Sequence, residues 1–376
     1  MKKTLRKLAA FSAACVMTLS LTACGENTAT IGKIGGEDIP AGIYLYHATS
    51  VYRQTALQKT EEQATVWDIT VDGKTAEQHI EDETLMRVKK LVAIEKKFDE
   101  LGLSFTEKEK DYYKASAENA YKQSEDAFSE SGIGLDSFTR IVENDAKYAA
   151  VFDAYYDAET GIEPVKVSEI NKYMKDNYAR IEIVEVPLKD ASGNLLKGAE
   201  KEKAINRAKS YVKRADSEDF GVLVYEEYNV LLKATAEANG TEFTKVDYKP
   251  GDADEYAFEQ IVDMNEMVSN FPSTVKDEIL AHKADGKAFL IESSDCYYIV
   301  KRYDILEREG IVDTYKGTVL QELKGDEFAE LETKWAEELD IEWNSRSDHV
   351  FMTGPARTVF SGVFLFDYSQ TERGEA

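Results

Sequence analysis

Tyr178-Ala-Arg-Ile-Glu-Ile-Val-Glu-Val-Pro-Leu188 is where the chain changes texture. Ile181, Ile183 and, after Val184, Val186 and Leu188 suggest a half-buried strand, because side chains on an extended chain alternate between faces. Downstream, Ala288-Phe-Leu-Ile-Glu-Ser-Ser-Asp-Cys-Tyr-Tyr-Ile-Val-Lys-Arg-Tyr-Asp304 reads as a two-stranded hairpin turning near Ser293–Asp295. Between these lie a loop at Ala191-Ser-Gly-Asn-Leu and a helix over about 199–215 carrying Ala204, Ala208, Tyr211 and Val212. A helical stretch from Phe220 to Tyr228 and a polar, glycine-interrupted region over 238–256 follow. A short helix from Ser273 to His282 and a turn at Gly286 complete the interval. Strands and helices thus alternate from Tyr178 to Asp304, and helices dominate on either side. The expected fold class is α+β.

The upstream half is helical. Ala29-Thr-Ile-Gly-Lys-Ile-Gly-Gly-Glu-Asp-Ile39-Pro40 predicts a short strand, a Gly-Gly turn and a helix opening near Pro40. That helix carries Ile43, Leu45, Tyr46, Val51 and Leu57. Trp67-Asp-Ile-Thr-Val-Asp-Gly-Lys74 reads as a strand or loop ending in an Asp-Gly turn. A second helix starts at about Thr75, where Thr-Ala-Glu-Gln offers partial capping-box chemistry. Ile80, Leu85, Val88, Leu91, Val92, Ile94 and Phe98 keep the helical period up to Leu101-Gly102. A third helix is expected from Thr106 to about Phe128, followed by a break at Gly132 and Gly134. A fourth, over about 135–158, contains Phe138, Ile141, Val142, Tyr148, Val151, Phe152 and Tyr155, and Gly161 and Pro164 close it. A short helix over 168–176 leads into the strand. After Asp304 a long helix runs from about Val312 to Leu339, and its Leu320, Leu323, Phe328, Leu331 and Trp335 need a partner surface. Residues 343–376 mix Trp343, Phe351, Phe360, Phe364, Phe366 and Tyr368 with Gly and Pro and show no period.

The chain opens MKKTLRKLAAFSAACVMTLSLTACG. Lys2, Lys3, Arg6 and Lys7 precede an apolar run from Leu8 to Leu21, which is too short for an ordinary membrane span. A basic start, a short apolar core and small residues before the break make an export signal. Leu21-Thr-Ala-Cys24 resembles the bacterial lipobox, which implies that Cys24 is acylated and becomes the first residue of the mature chain. The plainer alternative is an ordinary secretory signal with a chance cysteine. With the lipobox, 1–23 is signal, 24–29 is tether, and the protein sits lipid-anchored on the extracytoplasmic face of the cell membrane.

Without its four basic signal residues the formal charge falls from −25 to −29. So acidic a chain repels phosphate and is not expected to bind nucleic acid through its net field. A mature chain of about 350 residues suggests two domains. Cys15 lies in the signal and Cys24 is the anchor, so Cys296 alone remains in the fold and no internal disulfide is expected. Four histidines (His47, His79, His282, His349) do not suggest a His-rich metal site, and no cofactor is expected. No spacing matches an EF-hand loop, and Asp252-Ala-Asp254-Glu255 reads as a solvated loop rather than a cation site. A nucleophile elbow is lacking, and Gly35-Gly36 lacks the context of a phosphate loop.

Five motifs occur in a telling order. Ile31-Gly-Lys-Ile-Gly-Gly-Glu-Asp-Ile39 precedes a helix, and Asn171-Lys-Tyr-Met-Lys-Asp-Asn-Tyr178 precedes a strand. Then come Ser217-Glu-Asp-Phe220-Gly-Val-Leu223, Ile279-Leu-Ala-His-Lys-Ala-Asp-Gly286-Lys-Ala-Phe-Leu and Cys296-Tyr-Tyr-Ile-Val-Lys301. This order resembles the PrsA and SurA class of extracytoplasmic folding factors. The resemblance implies a mainly helical chaperone domain split in sequence, over 30–177 and 305–342. It also implies a small parvulin-like α/β domain inserted over 178–304, with 343–376 left as a tail.

Parvulin-type prolyl isomerases carry one histidine on the first strand and one on the last, within a polar cluster with Cys or Asp. Here no histidine lies between His79 and His282, and the last-strand position is Tyr298. Cys296 reads either as a remnant of that cluster or as a buried structural cysteine. Tyr297 and Tyr298 alternate across a strand, so one of them is placed to face a peptide groove, with core packing as the plainer alternative. The candidate groove residues are Phe289, Cys296, Tyr297 and Tyr298.

The resemblance therefore implies a membrane-anchored chaperone that binds unfolded exported proteins, in an apolar cleft between helical lobe and inserted domain. The 21 tyrosines suit a cradle for unfolded segments. Active prolyl isomerisation is one alternative. A solute-binding lipoprotein serving a transporter is another, although its repeated βα units are not evident in the helical first half. A purely structural lipoprotein is the third.

Overall fold

The computed structural model describes residues 30–60, 62–251, 253–254, 256–265, 271–344, 349–353 and 361–365. Residues 1–29, on which the expected export signal, Cys24 and tether fall, Asp252 and Glu255 of the acidic loop, and much of the 343–376 stretch lie outside them.

β1 (Thr30–Ile34) and β2 (Glu37–Pro40) form a hairpin around Gly35-Gly36. Both glycines have positive φ, 57° and 88°, as a tight turn matched to strand twist requires. α1 (Ala41–Ala56) starts at once, with Pro40 at its N-cap. A short hairpin of β3 (Thr70–Val71) and β4 (Lys74–Thr75) turns at Asp72-Gly73. The Thr75–Gln78 capping box then opens α2 (Ala76–Glu100).

The helix expected unbroken from Thr106 to Phe128 is interrupted. α3 (Glu107–Gln123) stops at Ser124, whose φ of −133° and ψ of 23° are not helical, and α4 (Glu125–Glu130) restarts after it. The break has a packing reason. It brings Phe128 back onto Tyr121 (ring centroids 5.3 Å apart) and Phe138 (4.9 Å), where a straight helix would carry it away. α5 (Leu135–Tyr156) and α6 (Val167–Asn177) follow and lead into β5 (Tyr178–Pro187).

α7 (Gly198–Arg214) agrees with expectation, but α8 (Phe220–Asn239) runs well beyond Tyr228, to a left-handed cap at Gly240. β6 (Glu259–Asp263) was not expected. α9 (Ser273–Ala281), β7 (Asp285–Glu292), β8 (Cys296–Tyr303) and α10 (Ile311–Glu337) fall where the sequence puts them. β9 (Ile341–Trp343), again unexpected, pairs with β1, and β10 (His349–Thr353) pairs with β11 (Ser361–Leu365).

The chain divides into two compact units, Met1–Pro164 with Lys324–Ala376, and Val165–Leu323; the division falls inside α10. The first unit has a sheet of order β2-β1-β9. Ile31, Ile34 and Ile39 from its strands pack with Ile43, Tyr44, Val88, Val92 and Ile141 from α1, α2 and α5. Gly32 lets β9 approach, since a Cβ there would lie 2.9 Å from Trp343 Cα. In the same unit Phe328 of α10 is fully buried, with its ring centroid 5.0 Å from Tyr148, 5.2 Å from Phe152 and 5.8 Å from Trp335.

The second unit has an antiparallel sheet of order β6-β5-β8-β7. β5 is not half-buried as expected; both of its faces are covered. Val184, Val186 and Leu188 pack under α7 and α8 with Ala204, Ala208, Tyr211, Phe220 and Leu223. Ala179 and Ile181 pack under α9 with Val275 and Ile279. A central strand covered on both faces reads as a nearly continuous apolar run.

Candidate functional site

The candidate residues sit on the hairpin of β7 and β8 and are sorted by the ladder. β5 places Pro187 across from Cys296, Val186 from Tyr297 and Glu185 from Tyr298. β7 places Glu292 across from Tyr297, Ile291 from Tyr298 and Phe289 from Val300. Residues opposite one another on antiparallel strands share a face. Cys296, Tyr298 and Phe289 therefore join Glu185 on the α9 face, and Tyr297 lies on the other.

Tyr297 is a core residue with a polar tip. It packs with Val186, Ile299, Tyr211 and Leu223, and its hydroxyl donates to Glu292 Oε2 at 3.1 Å. On the α9 face Cys296 and Tyr298 are buried, with Phe271 close by (ring centroids 6.1 Å from Tyr298). Glu185 at the end of that row is exposed. Phe289 is half-buried, and its ring stacks on the imidazole of His282 at 3.7 Å with 3° between the planes. His282 closes α9, its Nδ1 lying 2.8 Å from the Glu278 carbonyl. Arg302 Nη1 donates to the carbonyls of Leu280 (2.6 Å) and His282 (2.7 Å), fastening the end of α9 to β8.

The three acids on this face are all shifted toward their protonated forms. Burial pushes the Cys296 thiol up to about 12, and the Glu185 carboxylate adds to the effect. Burial first, then Cys296 and Glu185, hold the Tyr298 phenol above its ordinary value. Partial desolvation raises the Glu185 carboxyl, and its open side to solvent limits the effect. A thiol so raised is not a nucleophile near neutral pH. What the face holds is a neutral thiol and phenol beside aromatic surface, with the Glu185 carboxyl at its open end.

The sequence reading missed Glu185 and His282 as members of this face. Glu185 does interrupt the apolar run of β5, but its partner depends on register, and His282 meets Phe289 only through the placement of α9. Among the described residues, no group of three or more His, Cys, Asp or Glu is placed to hold a metal ion. Among them too, no helix is long and apolar enough to cross a membrane.

No protein-family model matches the chain, and no curated protein matches it. Among solved structures it is similar to the foldase protein PrsA from Streptococcus pneumoniae, at 16% identity over 82% of this chain and 88% of that one, with a TM-score of 0.30. It is similar to PrsA from Lactococcus lactis, at 14% identity over 85% and 96% of the two chains, TM-score 0.32. For PrsA from Bacillus subtilis the identity is 14% over 72% and 89%, TM-score 0.26. Scores this low carry no residue-by-residue correspondence.

Proposed function

We propose that this chain is an exported, lipid-anchored chaperone that holds unfolded proteins outside the cytoplasm. In this reading, 30–177 and 305–342 form one helical domain and 178–304 is an inserted, parvulin-like peptide-binding domain without appreciable isomerase activity. Cys24 carries the acyl chains, and a second membrane signal beyond a single chain makes such an anchor stable. The order of sequence motifs supports the reading. The observation that carries it is the gathering of Phe289, Cys296, Tyr298 and Glu185 on one face, with Cys296 and Tyr298 as its buried floor and the half-buried Phe289 and exposed Glu185 reaching solvent. Binding a peptide needs apolar contact and a few hydrogen bonds, and in this reading the solvent side of Phe289 and the Glu185 carboxyl supply them. Speeding rotation about a prolyl amide, whose barrier is about 20 kcal/mol, needs groups that favour the twisted amide over the planar one. The four strands of the second unit contain no histidine for that role.

The test sets two assays side by side on the mature protein. Aggregation of a chemically unfolded protein should slow at stoichiometric amounts, and a coupled prolyl-peptide assay should stay near background. Robust isomerisation that falls on Tyr298→Phe would restore the enzyme reading. Failure to retard aggregation would remove the chaperone reading. Cys24→Ala should release the protein from the membrane or leave its signal uncleaved; a variant still processed and membrane-bound would refute the anchor.

A further inference from the structure

The sheet of the second unit ends on one side in β7, which pairs with β8 alone. An edge strand presents backbone groups on two sides, one toward its neighbour and one outward. The ladder tells which residues face out. The Ser293 N–H donates to the Cys296 carbonyl at 2.9 Å, so 293 and 296 form a hydrogen-bonded pair. Alternation makes 291 with 298 and 289 with 300 the next such pairs. Ala288, Leu290 and Glu292 therefore turn their N–H and C=O groups away from the sheet. An independent contact agrees: the Ala288 N–H donates to Asp216 Oδ1 at 2.8 Å, outside the ladder.

The two halves of this edge differ. The first half carries devices that natural sheets use against edge pairing. Its register is irregular between Asp285 and Ala288, Lys287 is exposed, and Asp216 occupies the Ala288 N–H. From the Ala288 carbonyl onward the strand is regular. Among the described residues nothing bonds to the outward groups of Leu290 or Glu292. Glu292 is charged, but its carboxylate takes the Tyr297 hydroxyl, 3.1 Å away on the neighbouring strand.

We propose that the Ala288–Glu292 edge of β7 binds an extended segment of an unfolded polypeptide as an added strand, main chain to main chain. The inference rests on the reading of this chain as a holder of unfolded proteins, and names how they are held. The occupant follows from the geometry. Outward donors and acceptors at every second residue complement another extended backbone. They impose no side-chain sequence, which suits a protein that holds many chains. They do require free N–H groups on the guest, whereas binding by the Phe289 and Tyr298 face would not.

The experiment uses the full mature chain and a soluble peptide of about ten residues, alternating Thr and Val with lysines at its ends. A second peptide has the same side chains with every central amide N-methylated. The parent peptide should bind, and the methylated one at least about tenfold more weakly, since several backbone bonds are lost at once. Glu292→Pro removes the outward N–H while leaving the bonds to β8 in place. It should weaken the parent peptide about fivefold or more, while Glu292→Ala stays within about twofold. Equal binding of both peptides overturns the edge mode and leaves the holding function standing. Binding of neither overturns both. Unchanged peptide affinity in Glu292→Pro, together with loss of a dimer in sedimentation, gives the edge to a second copy and also overturns the proposal. Should Glu292→Pro fail to fold, hydrogen exchange on the unmodified protein decides. The Leu290 and Glu292 amides should exchange more slowly once the parent peptide is added, and unchanged exchange refutes the edge mode.

Discussion

Glu185 on β5 stands directly across the ladder from Tyr298 on β8, with Cys296 next on the same face of β8. This row joins a partly solvated carboxyl to a buried phenol and a buried thiol, and after burial itself the Glu185 carboxylate adds to the proton affinity of both. The expected consequence is an inert thiol. With its pKa moved from 9.0 to about 12, Cys296 has its thiolate fraction at pH 8 cut by about a thousandfold. In protein lacking Cys24, labelling by an aromatic disulfide at pH 8 should be at least about a hundredfold slower in buffer than in urea. Glu185→Gln removes one of the charges that raise the thiol and should speed the native reaction. Equal rates folded and unfolded would contradict the buried environment described for Cys296.

Phe328→Ala should destabilise the first unit by about 3–5 kcal/mol. The ring is fully buried and meets Tyr148, Phe152, Tyr155, Tyr156 and Trp335, so truncation leaves a cavity among residues that cannot easily close it. All three tryptophans, Trp67, Trp335 and Trp343, lie in the first unit, so urea unfolding followed by tryptophan fluorescence reports on that unit. A midpoint unchanged by the substitution would mean that the C-terminal half of α10 does not complete the N-terminal core.

Gly32→Ala should cost about 1–3 kcal/mol through overpacking. The added methyl would meet the backbone at Glu342 and Trp343 rather than a flexible side chain. That backbone has little freedom to retreat. Gly35 N–H donates to the Asp340 carbonyl (2.8 Å), Asn344 N–H to the Ile31 carbonyl (3.0 Å), and Asn344 Nδ2 to the Thr30 carbonyl (2.8 Å). The measurable sign is a red-shifted Trp343 emission with a lower urea midpoint. Lys33→Ala, an exposed position on the same strand, should leave both in place.

These positions show which features the chain reveals before folding and which it conceals. Helices α2 and α5 were legible because Val88, Leu91 and Val92, or Ile141, Val151 and Phe152, repeat at the helical period. The β7–β8 hairpin was legible because apolar runs flank Ser293–Asp295. β6 and β9 were not, since Glu259-Gln-Ile-Val-Asp263 and Ile341-Glu-Trp343 are short, outlying strands with too few apolar residues for a period. The length of α8 was hidden because Tyr228 and Leu231 stay 47% and 39% exposed and blur its amphipathic pattern. At the site, Tyr297 and Tyr298 were placed on opposite faces by simple alternation. Glu185 was not found, because the partner of a strand residue is set by register, which local sequence does not encode.

Stability of the first unit should be nearly flat with pH between about 4.5 and 6.5, because two partly buried groups oppose each other there. Burial, then the Arg87 charge, lowers the His47 pKa from 6.5 to about 4. Burial, then Glu77 and Asp82, raises the Glu81 pKa from 4.5 to about 7. In that window the unfolded chain protonates His47 while the folded chain keeps it neutral, so stability from this residue rises with pH. The folded chain protonates Glu81 while the unfolded chain ionises it, so stability from that residue falls with pH. Each slope has an ideal value of about 1.4 kcal/mol per pH unit, with opposite signs. Solvent screening at the partly exposed Glu81 reduces its share. Single substitutions should expose the hidden slopes. From pH 5 to 6.5, Glu81→Gln should gain about 1–2 kcal/mol and His47→Gln should lose about 1 kcal/mol, read from tryptophan-detected urea titrations. The offset between variants is immaterial, since lost packing shifts every pH alike and leaves the slope as the readout. Two variants whose stabilities run parallel to the parent across this range would show that neither group is desolvated by folding as described.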